Sequence, residues 1–230
     1  MHDFAASSVY FGVFVSLAAY FIGIFLRKKT GFALFNPLLI SVILVIALLS
    51  VLKIDYAAYN QSAKLLSSLL TPATISLAVP LYEQLELLKK HKKAIFLGVL
   101  SGVITSLVCV FVLSLLFGLD HAAYVTLLPK SITSAIGMGV SEKLGGHVSI
   151  TVAVIIITGI LGNMTAKGFC RLLGITDPIA RGIAIGTSSH AIGTTRAMEL
   201  GKIEGATSSL SIVIAGLLTV IGTSIFSVLI

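Results

Sequence analysis

Charged side chains are so unevenly spaced along this chain that six stretches, 8–26, 32–52, 65–82, 94–119, 147–166 and 205–230, contain no Asp, Glu, Lys or Arg. The hydrocarbon core of a bilayer is about 30 Å thick, and a helix needs roughly 20 mostly apolar residues to cross it. In lipid the backbone must satisfy its own hydrogen bonds, so runs of this length fold as helices. The pattern predicts an all-α, polytopic membrane protein with six full transmembrane helices. Two further segments, 122–144 and 183–200, are interrupted by Gly, Ser, Thr and charged residues. With no long polar linker between the runs, the expectation is one integral membrane domain over 1–230.

The basic residues then orient the runs. Arg27–Lys29 follow the first run, Lys89–Lys93 the third, and Lys167, Arg171 and Arg181 the fifth. Short basic loops on one side are the positive-inside signature. The N-terminus has no basic leader and carries Asp3, so the first run reads as an uncleaved helix with its N-terminus outside. Lys53–Lys64 reads as a short outer loop and Glu83–Lys93 as a short interfacial helix on the inner side. If 122–144 crossed fully, Lys167 and Arg171 would fall outside. If 122–144 and 183–200 instead dip in and return, 12 of the 16 Lys and Arg are cytoplasmic. Re-entrant dips are therefore the preferred topology.

The two dips resemble each other. Ser134-Ala-Ile-Gly-Met-Gly-Val-Ser-Glu-Lys-Leu-Gly145 aligns without gaps with His190-Ala-Ile-Gly-Thr-Thr-Arg-Ala-Met-Glu-Leu-Gly201, with five of 12 positions identical. One crossing separates them, so they would enter from opposite faces as an inverted pair meeting near the midplane. Irregular backbone at that depth is tolerated where it is buried in protein or lines a watery cavity. Pro129 breaks the first dip, and Ser131, Thr133 and Ser134 can cap a new helix ahead of Gly137. In the second, Gly186 and Gly193 are candidate hinges, and Thr187, Ser188, Ser189, Thr194 and Thr195 are candidate donors. Helix N-termini at such breaks carry partial positive charge and favour a small anion. Lys130, His190 and Arg196 would add charge, since ionisable groups inside a membrane are costly and default to function. The alternatives are a snorkelling Lys130, a structural His190, a cytoplasmic anchor at Arg196 and hydroxyls that serve helix packing. His190 would carry a proton if transport is proton-coupled. Asn36 can refill the donor gap left by Pro37, and Pro72 and Pro80 mark the third run as kinked or broken.

Composition narrows the function classes. Only 11% of residues are charged, against about 25% in soluble domains. The net charge of +7 sits in the short loops, which argues for membrane orientation and against nucleic acid as a partner. Cys109 and Cys170 have no metal-ligand spacing, and no metal or cofactor motif is present. Ser189 and His190 are adjacent with no acid placed to orient the imidazole, so an enzyme is not expected.

At Asn36-Pro-Leu-Leu39, Ala78-Val-Pro-Leu-Tyr82, Leu127-Leu-Pro-Lys-Ser-Ile-Thr133, Gly145-Gly146 and Gly186-Thr-Ser-Ser-His-Ala-Ile-Gly-Thr194 the chain resembles the LrgB/CidB family of bacterial membrane proteins. The Pro-Lys-Ser-Ile-Thr form is closer to the CidB-like branch. The resemblance implies a multi-pass protein of the bacterial cell membrane acting with a small LrgA/CidA-type membrane partner. It implies two functions that can coexist. One is transport of small monocarboxylates of the pyruvate or glycolate type. The other is antiholin-like control of murein hydrolase activity and cell lysis. Transport is the main expectation, with Lys130, His190, Asn36 and the hydroxyls of both dips as the anion site; coupling to a proton or another ion, and a homo-oligomer, stay open.

Overall fold

The structure, a computed structural model, describes residues 10–31, 35–76 and 78–230, so Asp3 lies outside it. Among the described residues every regular element is a helix. Four of these, Phe11–Thr30, Lys92–Phe117, Val148–Leu172 and Lys202–Phe226, are long and apolar enough to cross a membrane, and Pro37–Leu52 is a shorter apolar helix. The all-α polytopic class expected from the runs is what the chain forms. By internal contacts it divides into two units, Met1–Ser76 and Leu77–Ile230.

The first unit holds α1 (Phe11–Thr30), α2 (Pro37–Leu52), α3 (Tyr56–Ser62), α4 (Lys64–Ser68) and α5 (Leu70–Ser76). The last turn of α1 carries Arg27, Lys28 and Lys29, where cations suit the negative end of the helix. Asn36 caps α2: its Oδ1 accepts from the Leu38 amide at 2.9 Å, and Pro37 occupies a first-turn position that has no N–H bond to lose. The loop expected at 53–64 contains α3, which folds back onto α1 through Gly12 N donating to Ser62 Oγ at 2.9 Å and a 2.7 Å contact of Ser16 Oγ with the Tyr59 hydroxyl.

The 65–82 run, expected to be kinked or broken, is not one continuous helix. It is interrupted at Leu69, between α4 and α5, and its last described part is helical, α6 (Ala78–Glu83). Pro72 is the third residue of the helix that starts after this break, in the first turn where a missing N–H costs nothing.

The second unit continues with α7 (Leu85–Lys90), within the span expected for the interfacial helix, then α8 (Lys92–Phe117), α9 (His121–Leu127), α10 (Ser134–Lys143), α11 (Val148–Leu172), α12 (Pro178–Leu200) and α13 (Lys202–Phe226). Ile95, Val99, Val103, Leu107 and Val110 form a buried stripe of α8 at helical spacing. It packs in one core with Tyr124, Val125 and Leu128, and with Ala206 and Ala215 of α13.

Contacts along these helices give the direction of each dip. Phe111 of α8 meets Tyr124 with ring centroids 6.2 Å apart, and Ser106 Oγ lies 3.3 Å from Ser131 Oγ, so 124–131 runs against α8. The chain then turns back in α10. Gly137 abuts Ile155, and Ser141 Oγ accepts from Thr151 Oγ1 at 2.7 Å. That same Thr151 hydroxyl stands 3.0 Å from the Thr126 carbonyl, so both arms of this V reach the start of α11.

The second V is α12 itself. On its first arm Gly182 lies against Glu204 and Thr207, and Gly186 against Ser208 and Ser211, so the arm runs parallel to α13. On the second arm the order inverts: Thr194 Oγ1 meets Ser208 Oγ at 2.7 Å, and Met198 packs on Gly205. The reversal occurs at His190, at φ 42° and ψ −141°. The hinges expected at Gly186 and Gly193 are therefore displaced to the residue between them. Both glycines instead allow close approach, Gly186 to α13 and Gly193 to Ile185 on the opposite arm.

The tips meet on α8. Gly102 faces Thr187 of the second V, and Ser106, one turn later, faces Ser131 of the first. These positions are near the middle of α8, whose 26 residues span about 39 Å. The two Vs enter from opposite ends of α11, one at Thr151 and the other at Cys170 and Arg171, where Arg181 and Leu200 gather. This is the inverted pair implied by the aligned segments. The alignment even sets Ser134, the first residue of α10, opposite His190, the turning residue of α12.

Candidate functional site

Where the tips converge lies a cavity of about 400 Å³. The first V contributes Lys130 and Ser131, and the second contributes Ile183, Ala184, Thr187 and Ser188. One face of α8 supplies Gly98, Ser101, Gly102, Thr105, Ser106 and Cys109. Lys130 is the charged residue of this lining, and no carboxylate stands among the described residues that form it. Its Nζ donates to Ser131 Oγ at 3.0 Å. Thr187 is 5% exposed, and its Oγ1 finds no hydrogen-bond partner among the described residues. A buried hydroxyl without a partner costs free energy of about 1–3 kcal/mol, so one that lines a cavity is a contact point for whatever enters. Ser101, Thr105, Cys109 and Ser188 are exposed, which makes the cavity a pocket open at its flank.

The other candidate residues support the tips and do not line the cavity. Thr133 holds the N-cap position of α10 without a side-chain cap bond, Ser134 begins that helix, and Gly137 packs against Ile155 and Pro129. Ser189 is buried, with its Oγ 3.0 Å from Ser188 Oγ. His190 Nε2 lies 3.0 Å from the Ile155 carbonyl. A carbonyl only accepts, so this nitrogen carries a proton and donates. Gly159 leaves room for the ring. Thr194 Oγ1 donates to the His190 carbonyl at 2.9 Å, tying the turn to the arm below it. Gly193 is part of the close approach between the arms. Arg196 pairs with Glu199 one turn away. Asn36 caps α2 in the first unit, whereas every lining residue belongs to the second.

The α8 contribution is what the sequence reading missed. Positions 98, 101, 102, 105, 106 and 109 fall three or four apart and are all Gly, Ser, Thr or Cys, one polar, small-residue face of a helix. The 94–119 run carries no charge, and so it reads simply as a crossing.

Residues 16–229 match the LrgB-like family. The chain belongs to the LrgB-like family. It is similar to the antiholin-like protein LrgB of Bacillus subtilis (strain 168), at 38% identity over 220 residues covering 95% of each chain. It is also similar to the antiholin-like protein LrgB of Bacillus cereus (strain B4264), at 37% identity over 218 residues, 94% of this chain and 95% of that one. No solved structure matches it. The match takes in both units of this LrgB-like chain, the cavity included.

Proposed function

We propose that this chain is an antiholin-like protein of the bacterial cell membrane, which lowers murein hydrolase activity and restrains lysis together with a small LrgA/CidA-type membrane partner. The observation that carries this reading is the 38% identity, over 95% of the chain, to a relative named antiholin-like. The basic ends of α1, α7 and α11 favour a cytoplasmic side for those ends and an outer N-terminus. Deleting the gene, restoring it with and without the partner gene, and following hydrolase activity in zymograms and lysis rate tests the reading. Restored restraint is the expected result. Equal lysis with and without the chain would sink it.

A second reading, transport of a small monocarboxylate of the pyruvate or glycolate type, is favoured by the cavity. Lys130 supplies one positive charge, and Ser131, Ser106 and Thr187 supply hydroxyl donors. A monoanion restores neutrality to a lysine that is expensive to bury. Two Vs meeting at mid-depth give a site that could be reached from either face by rocking one element against another. The readings are compatible, because flux of a weak acid alters the proton balance of the membrane. Cys109 lines the cavity and is exposed, so it reports occupancy directly. Pyruvate or glycolate should slow its modification by a small thiol reagent, and reconstituted vesicles should take up the labelled acid. Failure of both, with folded protein, removes the transport reading and leaves the antiholin reading intact.

A further inference from the structure

At the mouth of the second V, Arg181 and Leu200 share a separate cavity of about 260 Å³ with Lys167, Cys170 and Arg171. Lys167, Cys170 and Arg171 are spaced to lie on one face of α11. The turn that follows is fixed by Gly174 at φ 65° and by Ile175 N donating to the Cys170 carbonyl at 2.8 Å. Arg181 is held in place on two sides. Its Nε donates to the Ile175 carbonyl at 2.8 Å, and its Nη1 stands 3.8 Å from Oε1 of Glu204, whose side chain is 8% exposed. Three cations therefore gather around a cavity with no carboxylate among its described lining residues; Glu204 pairs with Arg181, and the nearby Asp177 is engaged in capping α12 through the Ala180 amide. Beside this basic pocket α11 and its turn leave Phe169, Leu172 and Leu173 exposed by 57%, 79% and 67%. Cations converging in a pocket between membrane helices, next to bare apolar side chains, match an amphiphile with an anionic head.

We infer that this pocket holds the phosphate of an anionic phospholipid, with its acyl chains lying along Phe169, Leu172 and Leu173. The site is distinct from the cavity at the tips and does not depend on what that cavity carries. Lys167 and Arg171 are exposed and supply the adjustable contacts. Arg181 is the fixed one.

The test uses the purified full-length chain in detergent. Native mass spectrometry reads retention of dioleoylphosphatidylglycerol against dioleoylphosphatidylethanolamine, and a parallel titration uses inorganic phosphate. The variants are Lys167→Gln with Arg171→Gln, and, as a control of equal charge change, Lys92→Gln with Lys93→Gln. Wild type and the control should retain phosphatidylglycerol preferentially, and the first pair should lose roughly tenfold or more in retention, as expected for two basic contacts near a membrane surface. Lys167→Arg with Arg171→Lys keeps the charges and should keep the lipid, which separates loss of contact from misfolding. Any of three results overturns the proposal: equal retention by all variants, equal loss in the control pair, or binding of inorganic phosphate with no preference for phosphatidylglycerol.

Discussion

Ser106 Oγ and Ser131 Oγ lie 3.3 Å apart, and this contact fixes the tip of the first V to the middle of α8. One turn earlier Gly102 does the same for the second V by having no side chain. A Cβ there would stand 2.6 Å from Cγ2 of Thr187. Thr187 is β-branched and cannot simply rotate away. Gly102→Val should therefore destabilise the protein by about 1–3 kcal/mol, the usual range for overpacking, and should obstruct the cavity. Gly139→Ala is the matched control, since nothing lies within 4 Å of a Cβ at that position. Melting in detergent should separate the two, and equal melting temperatures would count against the tip contact.

Lys130 should behave as a group kept for function at the expense of stability. It is half-buried, bonded to Ser131 and without a carboxylate partner among the described residues of the cavity. Lys130→Met should leave the melting temperature equal or higher, because the cost of desolvating the ammonium disappears. Affinity for pyruvate or glycolate should fall roughly 30–100-fold, the equivalent of losing one charge-assisted hydrogen bond. A marked loss of stability with unchanged affinity would show Lys130 to be a structural residue.

The backbone of His190 makes a prediction that its side chain alone does not. At φ 42° and ψ −141° it occupies a region that favours glycine. His190→Ala loses the bond to the Ile155 carbonyl and keeps the strain. His190→Gly loses the same bond and relieves the strain. The glycine variant should be the more stable of the two by about 1 kcal/mol, measured by thermal or denaturant unfolding. The reverse order would mean that the turn does not sit at residue 190.

The sequence exposes this V unevenly. The 183–200 segment stands out because hydroxyls, glycines, His190 and Arg196 interrupt an apolar run, and its likeness to 134–145 follows from the same interruptions. The location of the turn could not be read off in this way. Gly186 and Gly193 look like hinges, yet their positions opposite Ser208 and Ile185 assign them to packing, and only tertiary contacts distinguish a glycine needed for flexibility from one needed for closeness. The α8 wall was hidden for a related reason. Ser101, Thr105 and Ser106 can all return their hydroxyls to the helix backbone, so they fit an apolar crossing as readily as a cavity; Ser101 and Thr105 do so, donating to Gly98 and Ser101 carbonyls at 2.8 Å each. The 65–82 run is the opposite case, apolar enough to cross but interrupted at Leu69, three residues ahead of Pro72, one of the two prolines that mark it in the sequence.

Arg181 and Glu204 join the first arm of the second V to the start of α13 with Nη1 and Oε1 3.8 Å apart. Glu204 has 8% of its side chain exposed, and Arg181 has 31%. Removing the arginine strands a buried carboxylate, whereas removing both charges leaves nothing unpaired. Arg181→Met should therefore cost about 3 kcal/mol or more, and Arg181→Met combined with Glu204→Gln should recover much of that loss. Glu204→Gln alone should cost less than Arg181→Met, because the more exposed guanidinium can turn to water and still donate to the Ile175 carbonyl, 2.8 Å from its Nε. A double-mutant cycle on melting in detergent measures the coupling. Strictly additive losses would mean that the two charges do not act on each other, and that close packing such as that of Gly182 on Glu204 and Thr207 holds the V to α13 without them.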